Sequence, residues 1–129
     1  MKRNLLAVSF LMVLAVVLTA CEGVSPMNEQ PDVLLKEDPS YASDVQPIFD
    51  KYCLSCHGPV RAMRGLRLDG YEYVIAGSRV GAVVIPYSST ASLLAAGLEA
   101  GAMPPKGEKP SANRVKNIFH WIEQGAYDN

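Results

Sequence analysis

The feature that most constrains this chain is the stretch CLSCH, Cys53 to His57, in which two cysteines three positions apart are followed directly by a histidine. Three kinds of site use such a pattern: a redox dithiol, half of a zinc site, or the anchor of a haem. Each kind needs different partners elsewhere in the chain, so the surroundings of the motif decide between them.

Two of the three kinds of site fit poorly. A structural zinc site needs four ligands, and the chain offers Cys53, Cys56, His57 and His120. Adjacent Cys56 and His57 rarely face one ion, and His120 lies roughly 150° from the centre of the apolar stripe of its helix, so it is expected to face solvent. A thioredoxin-type dithiol starts a helix in a βαβ unit, whereas this motif follows the end of a predicted helix.

The haem interpretation uses every residue of the motif. Thiols at Cys53 and Cys56 would add to the two vinyl groups of one porphyrin, and His57 would bind the iron as the proximal axial ligand. C-x-x-C-H is the attachment signal of c-type haem. The sequence therefore predicts one covalently bound haem c.

A six-coordinate iron needs a second axial ligand, and the candidates are Met27, Met63 and Met103. Met27 lies in a predicted tether, and Met63 follows His57 so closely that packing or exposure is expected. Met103 lies in GAMPPKG, where two prolines stiffen the loop and bias Met103 to an extended backbone. We predict Met103 as the distal ligand; the alternative is a Met-Pro-Pro turn that only packs.

Helical periodicity predicts a helix on each side of the motif. Apolar residues at i, i+3, i+4 and i+7 form one stripe from Val45 to Tyr52, capped by Ser43 or Asp44, and another from Val115 to Ile122, capped by Ser111. A short helix is predicted around Leu93–Leu98. Between these lies a glycine-interrupted region in which VVIP, residues 83–86, could be an edge strand.

A small domain of this length gains a core by wrapping a large apolar cofactor. The residues expected around the porphyrin, or packed on one another, are Phe49, Tyr52, Leu66, Leu68, Phe119 and Ile122. Trp121 is expected to reach a propionate or the helix interface.

The first twenty residues indicate export. Lys2 and Arg3 precede sixteen uncharged residues, which is short for a membrane span and typical of a signal peptide; a retained membrane anchor is the alternative. The LTAC sequence ending at Cys21 resembles the lipobox of bacterial lipoproteins, which implies cleavage before Cys21 and its lipidation. We predict a signal peptide at 1–20, a lipidated flexible tether at 21–40 and the folded domain at 41–129.

The pieces VQPIFDKYCLSCHG, GLRLDGYE, VVIPYSSTASLL, AMPPKG and WIEQGA occur in this order between Val45 and Ala126. In them the chain resembles the planctomycete-type cytochrome c domain, a branch of the class I cytochromes c. The resemblance implies an all-α cytochrome c fold with His57 and Met103 as axial ligands. Pro110 and Arg114 depart from the pattern and leave the start of the last helix open.

The leading hypothesis is therefore an electron carrier rather than an enzyme. It would be anchored to a membrane of the bacterial envelope, facing the periplasm or another extracytoplasmic side, and exchange electrons with redox partner proteins. A labile Met103 would instead make the iron a sensor or peroxidase-like site, and an accessory haem subunit of a larger complex is a third possibility.

Charge adds one constraint on partners. With 12 basic and 13 acidic residues and no basic stripe, no nucleic acid partner is expected. Arg61, Arg64 and Arg67 recur at intervals of three and could pair with propionates, dock an acidic partner or face solvent.

Overall fold

The computed structural model describes residues 33–129. The predicted signal peptide, the predicted lipidation at Cys21, Met27 and residues 21–32 of the predicted tether lie outside the described residues. In the part of the chain that is described, no helix combines the length and apolar character that a membrane span requires.

The described residues form a helical domain. A π-helical turn at Tyr41–Val45 leads into α1 (Gln46–Tyr52), and then follow α2 (Leu54–His57), a 3-10 turn at Met63–Gly65, α3 (Tyr71–Ala76), α4 (Leu93–Glu99) and α5 (Ala112–Glu123). Between residues 33 and 129 there is no β-strand, only two isolated bridges. The predicted all-α fold is confirmed.

The suggestion that residues 83–86 form an edge strand is wrong. Val83 and Val84 are buried in irregular backbone before α4, and the Val83 carbonyl accepts a hydrogen bond from Leu94 N at 2.9 Å. Their β-branched side chains fill the core without a partner strand.

The first helical segment begins earlier than predicted. Ser40, not Ser43 or Asp44, is the cap, since Ser40 Oγ accepts from Ser43 N at 3.5 Å. The Asp44 carboxylate instead accepts from Ser40 N at 2.9 Å and pairs with Lys36 Nζ at 2.6 Å. Val45, Ile48, Phe49 and Tyr52 are all buried, so the predicted stripe faces the core.

The last helix forms as predicted. Ser111 Oγ accepts from Arg114 N at 3.5 Å, which places the cap at Ser111 and settles the start of α5 at Ala112. Ile118 and Ile122 are buried in the core.

Trp121 lies at the helix interface. Its side chain is 1% exposed, its ring lies 5.2 Å from that of Tyr41, and Nε1 donates to the Tyr127 carbonyl at 2.8 Å. Of the two positions expected for Trp121, the interface is the one observed.

Residues 34–37, which we call the strap, run along α5. Asn117 on α5 is fully buried and holds the strap by both ends of its amide. Its Oδ1 accepts from Lys36 N at 2.9 Å, and its Nδ2 donates to the Leu34 carbonyl at 3.2 Å. Contacts with the domain therefore begin before Tyr41, where the folded part was predicted to start.

Two further side chains, one on α5 and one at the residue that caps its end, bind the strap. His120 Nδ1 donates to the Lys36 carbonyl at 2.7 Å, and Gln124 Nε2 donates to the Glu37 carbonyl at 2.5 Å. His120, expected to face solvent, is thus only partly exposed because the strap covers one side of its ring.

Candidate functional site

The cysteine motif forms a single tight turn at the end of α1. The Cys53 carbonyl accepts from Cys56 N at 3.1 Å and from His57 N at 2.9 Å, so both cysteines and the histidine share one helical turn. Gly58 ends the turn, and a Cβ at this position would lie 2.6 Å from the Leu54 carbonyl oxygen. Only glycine allows the chain to pass so close to α2.

The two thiols are unbridged. Burial raises the pKa of Cys53 to about 11, and the neighbouring Cys56 adds to the rise. Redox dithiols and thiolate ligands instead have a lowered pKa. A Cys53 thiol that stays protonated at neutral pH is poorly suited to dithiol exchange or to binding a metal ion as a thiolate.

No zinc site assembles in the described chain. Among residues 33–129, no group of three or more His, Cys, Asp or Glu side chains is placed to hold a metal ion. The four residues considered for zinc, Cys53, Cys56, His57 and His120, therefore do not converge.

Among the described residues, only one buried side-chain nitrogen or oxygen atom lacks a hydrogen-bond partner, and it belongs to His57. Its Nδ1 is buried and has no hydrogen-bond partner, although buried polar atoms are normally paired. The His57 carbonyl accepts from Leu68 N at 2.7 Å, which fixes the backbone on the side away from the cysteines. With Nδ1 enclosed by protein, Nε2 is the ring nitrogen left to bind a ligand.

Met103 lies in a separate loop, residues 100–110, between α4 and α5. Met103 N donates to the Gly97 carbonyl at 3.0 Å, and a Cβ at Gly97 would contact Met103 Cγ at 3.5 Å. The Met103 side chain is 45% exposed. The structure thus gathers Cys53, Cys56 and His57 into one turn and holds Met103 against α4.

Comparison with known families agrees with this arrangement. Residues 53–107, from the first cysteine of the motif to Gly107 within the Met103 loop, match the planctomycete cytochrome C family. This match supports a planctomycete-type cytochrome c domain in this part of the chain. Such a domain indicates haem binding and electron transfer. No curated protein and no solved structure matched the chain.

The residues of this cytochrome c domain fit a c-type haem. The two unbridged thiols in one turn could form the thioethers, and the imidazole of His57, with its Nδ1 buried, could supply a nitrogen ligand to the iron. The apolar residues predicted around the porphyrin all belong to one core: Phe49, Tyr52, Leu68 and Ile122 are buried in it, and Leu66 and Phe119 pack against it.

A polar network that the sequence argument missed joins the Met103 loop to α1. Glu108 Oε1 lies 3.1 Å from Lys51 Nζ and accepts from Tyr52 OH at 3.3 Å, while Arg114 Nη1 donates to Tyr52 OH at 2.8 Å. The hydrogen bond from Lys51 holds the pKa of Glu108 below its usual value. Tyr52 directly precedes Cys53, so the network connects the loop that carries Met103 to the turn that carries His57.

The predicted arginine series divides into two kinds. Arg67 is paired within the domain: its guanidinium binds both carboxylate oxygens of Asp69, at 2.9 and 2.5 Å, and stacks 3.5 Å from the centre of the Tyr73 ring. Arg61 and Arg64 are exposed and form no ion pair with another described residue.

Arg79, which the sequence argument did not single out, joins this exposed pair. Arg79 N donates to the Arg64 carbonyl at 3.0 Å, and the Arg79 side chain passes over Gly65. We call Arg61, Arg64 and Arg79 the arginine patch; it lies in the chain that leaves His57.

Proposed function

We propose that the domain carries one haem c, joined by thioethers to Cys53 and Cys56 and ligated by His57 and Met103, and that it works as a membrane-tethered electron carrier. The observation that carries the proposal is the tight turn in which two unbridged thiols are followed by a histidine whose Nδ1 is buried without a partner among the described residues. That turn offers two covalent attachment points and one axial nitrogen within five residues.

Bound haem supplies reversible one-electron exchange, and the chain tunes it. A thioether opposite an imidazole raises the reduction potential relative to two imidazoles, which is the contribution expected of Met103. The buried side chains of Phe49 and Leu68 keep the surroundings of the attachment turn apolar. An apolar surrounding disfavours the additional charge of the oxidised state.

The arginine patch supports a partner with an acidic surface. Residues 33–129 contain ten basic and ten acidic residues, yet the segment from Gly58 to Val84 contains four arginines and only two acidic residues. Such local charge speeds the encounter of oppositely charged proteins. We therefore expect the redox partner to dock near the chain that leaves His57.

The membrane tether is supported by the sequence alone. A basic start, an apolar stretch too short for a span and the lipobox-like LTAC favour a lipid on Cys21 and a location in the bacterial cell envelope, on its extracytoplasmic side. Several acyl chains on one residue hold a protein to a bilayer stably, whereas a single chain does not.

One observation favours a second candidate function. The Met103 side chain is 45% exposed, so a weak bond from its sulfur could yield to a small ligand. The domain would then act as a gas sensor or a peroxidase-like enzyme rather than as a simple carrier.

Haem staining of a denaturing gel, combined with the intact mass, tests the covalent attachment. Protein from cells competent in c-type maturation should stain and carry the mass of one haem. An apo mass from such cells would overturn the proposal.

The visible spectrum tests the distal ligand. The ferric protein should show the long-wavelength band of methionine ligation, and Met103→Ala should abolish it. Met63→Ala is the matched control, since Met63 is 43% exposed and also lies close in sequence to the attachment turn. High-spin ferric haem at neutral pH in the unmodified protein would favour the sensor or peroxidase instead.

A further inference from the structure

The loop that carries Met103 is closed by one lysine. Lys109 Nζ donates to the Gly101 carbonyl at 2.5 Å and to the Pro104 carbonyl at 2.6 Å. These two carbonyls lie on either side of Met103 in the chain. A single ammonium group thus joins the two sides of the loop that presents the thioether.

Two other attachments of the loop lie on either side of its prolines. Met103 N is held by the Gly97 carbonyl of α4 at 3.0 Å, and Glu108 is held by Lys51 and Tyr52 of α1. The polypeptide between these two attachments includes Pro104, Pro105 and Gly107. Lys109 joins this part of the loop, at the Pro104 carbonyl, to the Gly101 carbonyl. Without the lysine, both carbonyls would lose their charged donor and the two sides of the loop would no longer be joined by hydrogen bonds.

We infer that Lys109 is a positioning residue for the distal ligand: by closing the loop, it holds the Met103 sulfur ready to bind iron and so resists displacement of the methionine. The inference rests on the proposed ligation by Met103. Thioether sulfur is a neutral ligand, and its bond persists only while the protein keeps it in place. The loop closure that Lys109 provides therefore sets how often the distal position opens.

Exogenous imidazole measures that opening in the haem-loaded protein. Imidazole reaches the ferric iron only after Met103 has left, so its apparent affinity is proportional to the fraction of open loop. A hydrogen bond changes an equilibrium by about threefold to tenfold, and Lys109→Met removes two of them at nearly the same side-chain length. We expect imidazole to bind about tenfold to a hundredfold more tightly to Lys109→Met than to the unmodified protein.

Three further variants make the measurement specific. Lys106→Met removes an exposed lysine of the same loop that forms no hydrogen bond or ion pair with another described residue, and its imidazole affinity should equal that of the unmodified protein. Lys109→Arg keeps donors at this position and should restore most of the resistance to imidazole. In a Met103→Ala background, where no sulfur has to be displaced, Lys109→Met should change the affinity by less than twofold.

The possible failures can be told apart. If the unmodified protein lacks a Met103-dependent band, Met103 is not the ligand, and both the proposed ligation and this inference fall. If the band is present but Lys109→Met binds imidazole within twofold of the unmodified protein, the ligation stands and the role of Lys109 is refuted. A tenfold change that persists without Met103 would also refute it, because the lysine would then act by another route.

Discussion

Removal of the Asn117 side chain should release the strap from α5 while leaving the haem site intact. Asn117 is fully buried, and its amide makes two hydrogen bonds to strap backbone, with Lys36 N at 2.9 Å and the Leu34 carbonyl at 3.2 Å. Alanine at this position keeps the helix and deletes both bonds. None of these atoms belongs to the cysteine turn or to the Met103 loop.

The expected magnitude follows from the two bonds. Each contributes about 0.5–1.5 kcal/mol net, so the strap should lose roughly 2 kcal/mol of its attachment. That corresponds to an equilibrium population of the open strap about 30-fold larger, because 1.4 kcal/mol is a factor of ten. The stability of the whole domain should fall less, since alanine is favoured over asparagine in a helix by roughly 0.6 kcal/mol.

Amide hydrogen exchange of Lys36 is the assay, because that amide donates directly to the side chain that is removed. Exchange at Lys36 should accelerate about 30-fold in Asn117→Ala, with the haem spectrum unchanged. Lys116→Ala, an exposed neighbour on the same helix, is the matched control and should leave the rate unaltered. Exchange at Lys36 within twofold of the unmodified protein would refute the claim that Asn117 holds the strap.

Two other predictions concern charge. Burial alone would raise the pKa of Asp44, but hydrogen bonds from Lys36 and the Ser40 amide outweigh burial and lower the pKa. The ionised Asp44 therefore stabilises the folded domain above about pH 4, and this stabilisation is lost as the pH falls through the lower pKa of the folded state. Thermal unfolding followed from pH 6 to pH 3 should show this loss, Asp44→Asn should remove it, and equal slopes in both proteins would contradict it. The double variant Arg64→Glu/Arg79→Glu should slow electron exchange with an anionic reagent and speed it with a cationic one, with both effects shrinking at high salt. Rates that ignore both the sign of the reagent and the salt would mean that the arginine patch lies away from the path of electron transfer.

The elements that the sequence predicted correctly are those encoded locally. α5 has its cap at Ser111 and its apolar stripe within one continuous segment, and both were confirmed. The turn from Cys53 to His57 is likewise fixed by five consecutive residues. In both places short-range hydrogen bonds and side-chain periodicity determine the structure, so distant residues are not needed to foresee it.

The parts that were missed depend on distant contacts. α3 follows Gly70, which supplies no side-chain cap, and buries only Val74, so it has no stripe to detect. α3 is instead held by a hydrogen bond to a distant residue: Tyr71 OH donates to the Ala126 carbonyl at 2.9 Å. The predicted cap at Asp44 failed for a similar reason, because its carboxylate is engaged by Lys36 of the strap.

The strap itself does leave a periodic signal, though not an apolar one. Asn117, His120 and Gln124 recur at i, i+3 and i+7, which places them on one side of α5, and each binds a backbone group of the strap. A polar stripe beside an apolar one predicts a helix that packs on a core with one face and holds an extended segment with another. The two histidines of the chain differ in the hydrogen bonding of Nδ1: that of His120 donates to the strap, whereas the buried Nδ1 of His57 has no partner among the described residues. α5 thereby holds the strap with one face, while Arg114 on the same helix reaches Tyr52 beside the attachment turn, so a single helix connects the strap to the predicted site of haem attachment.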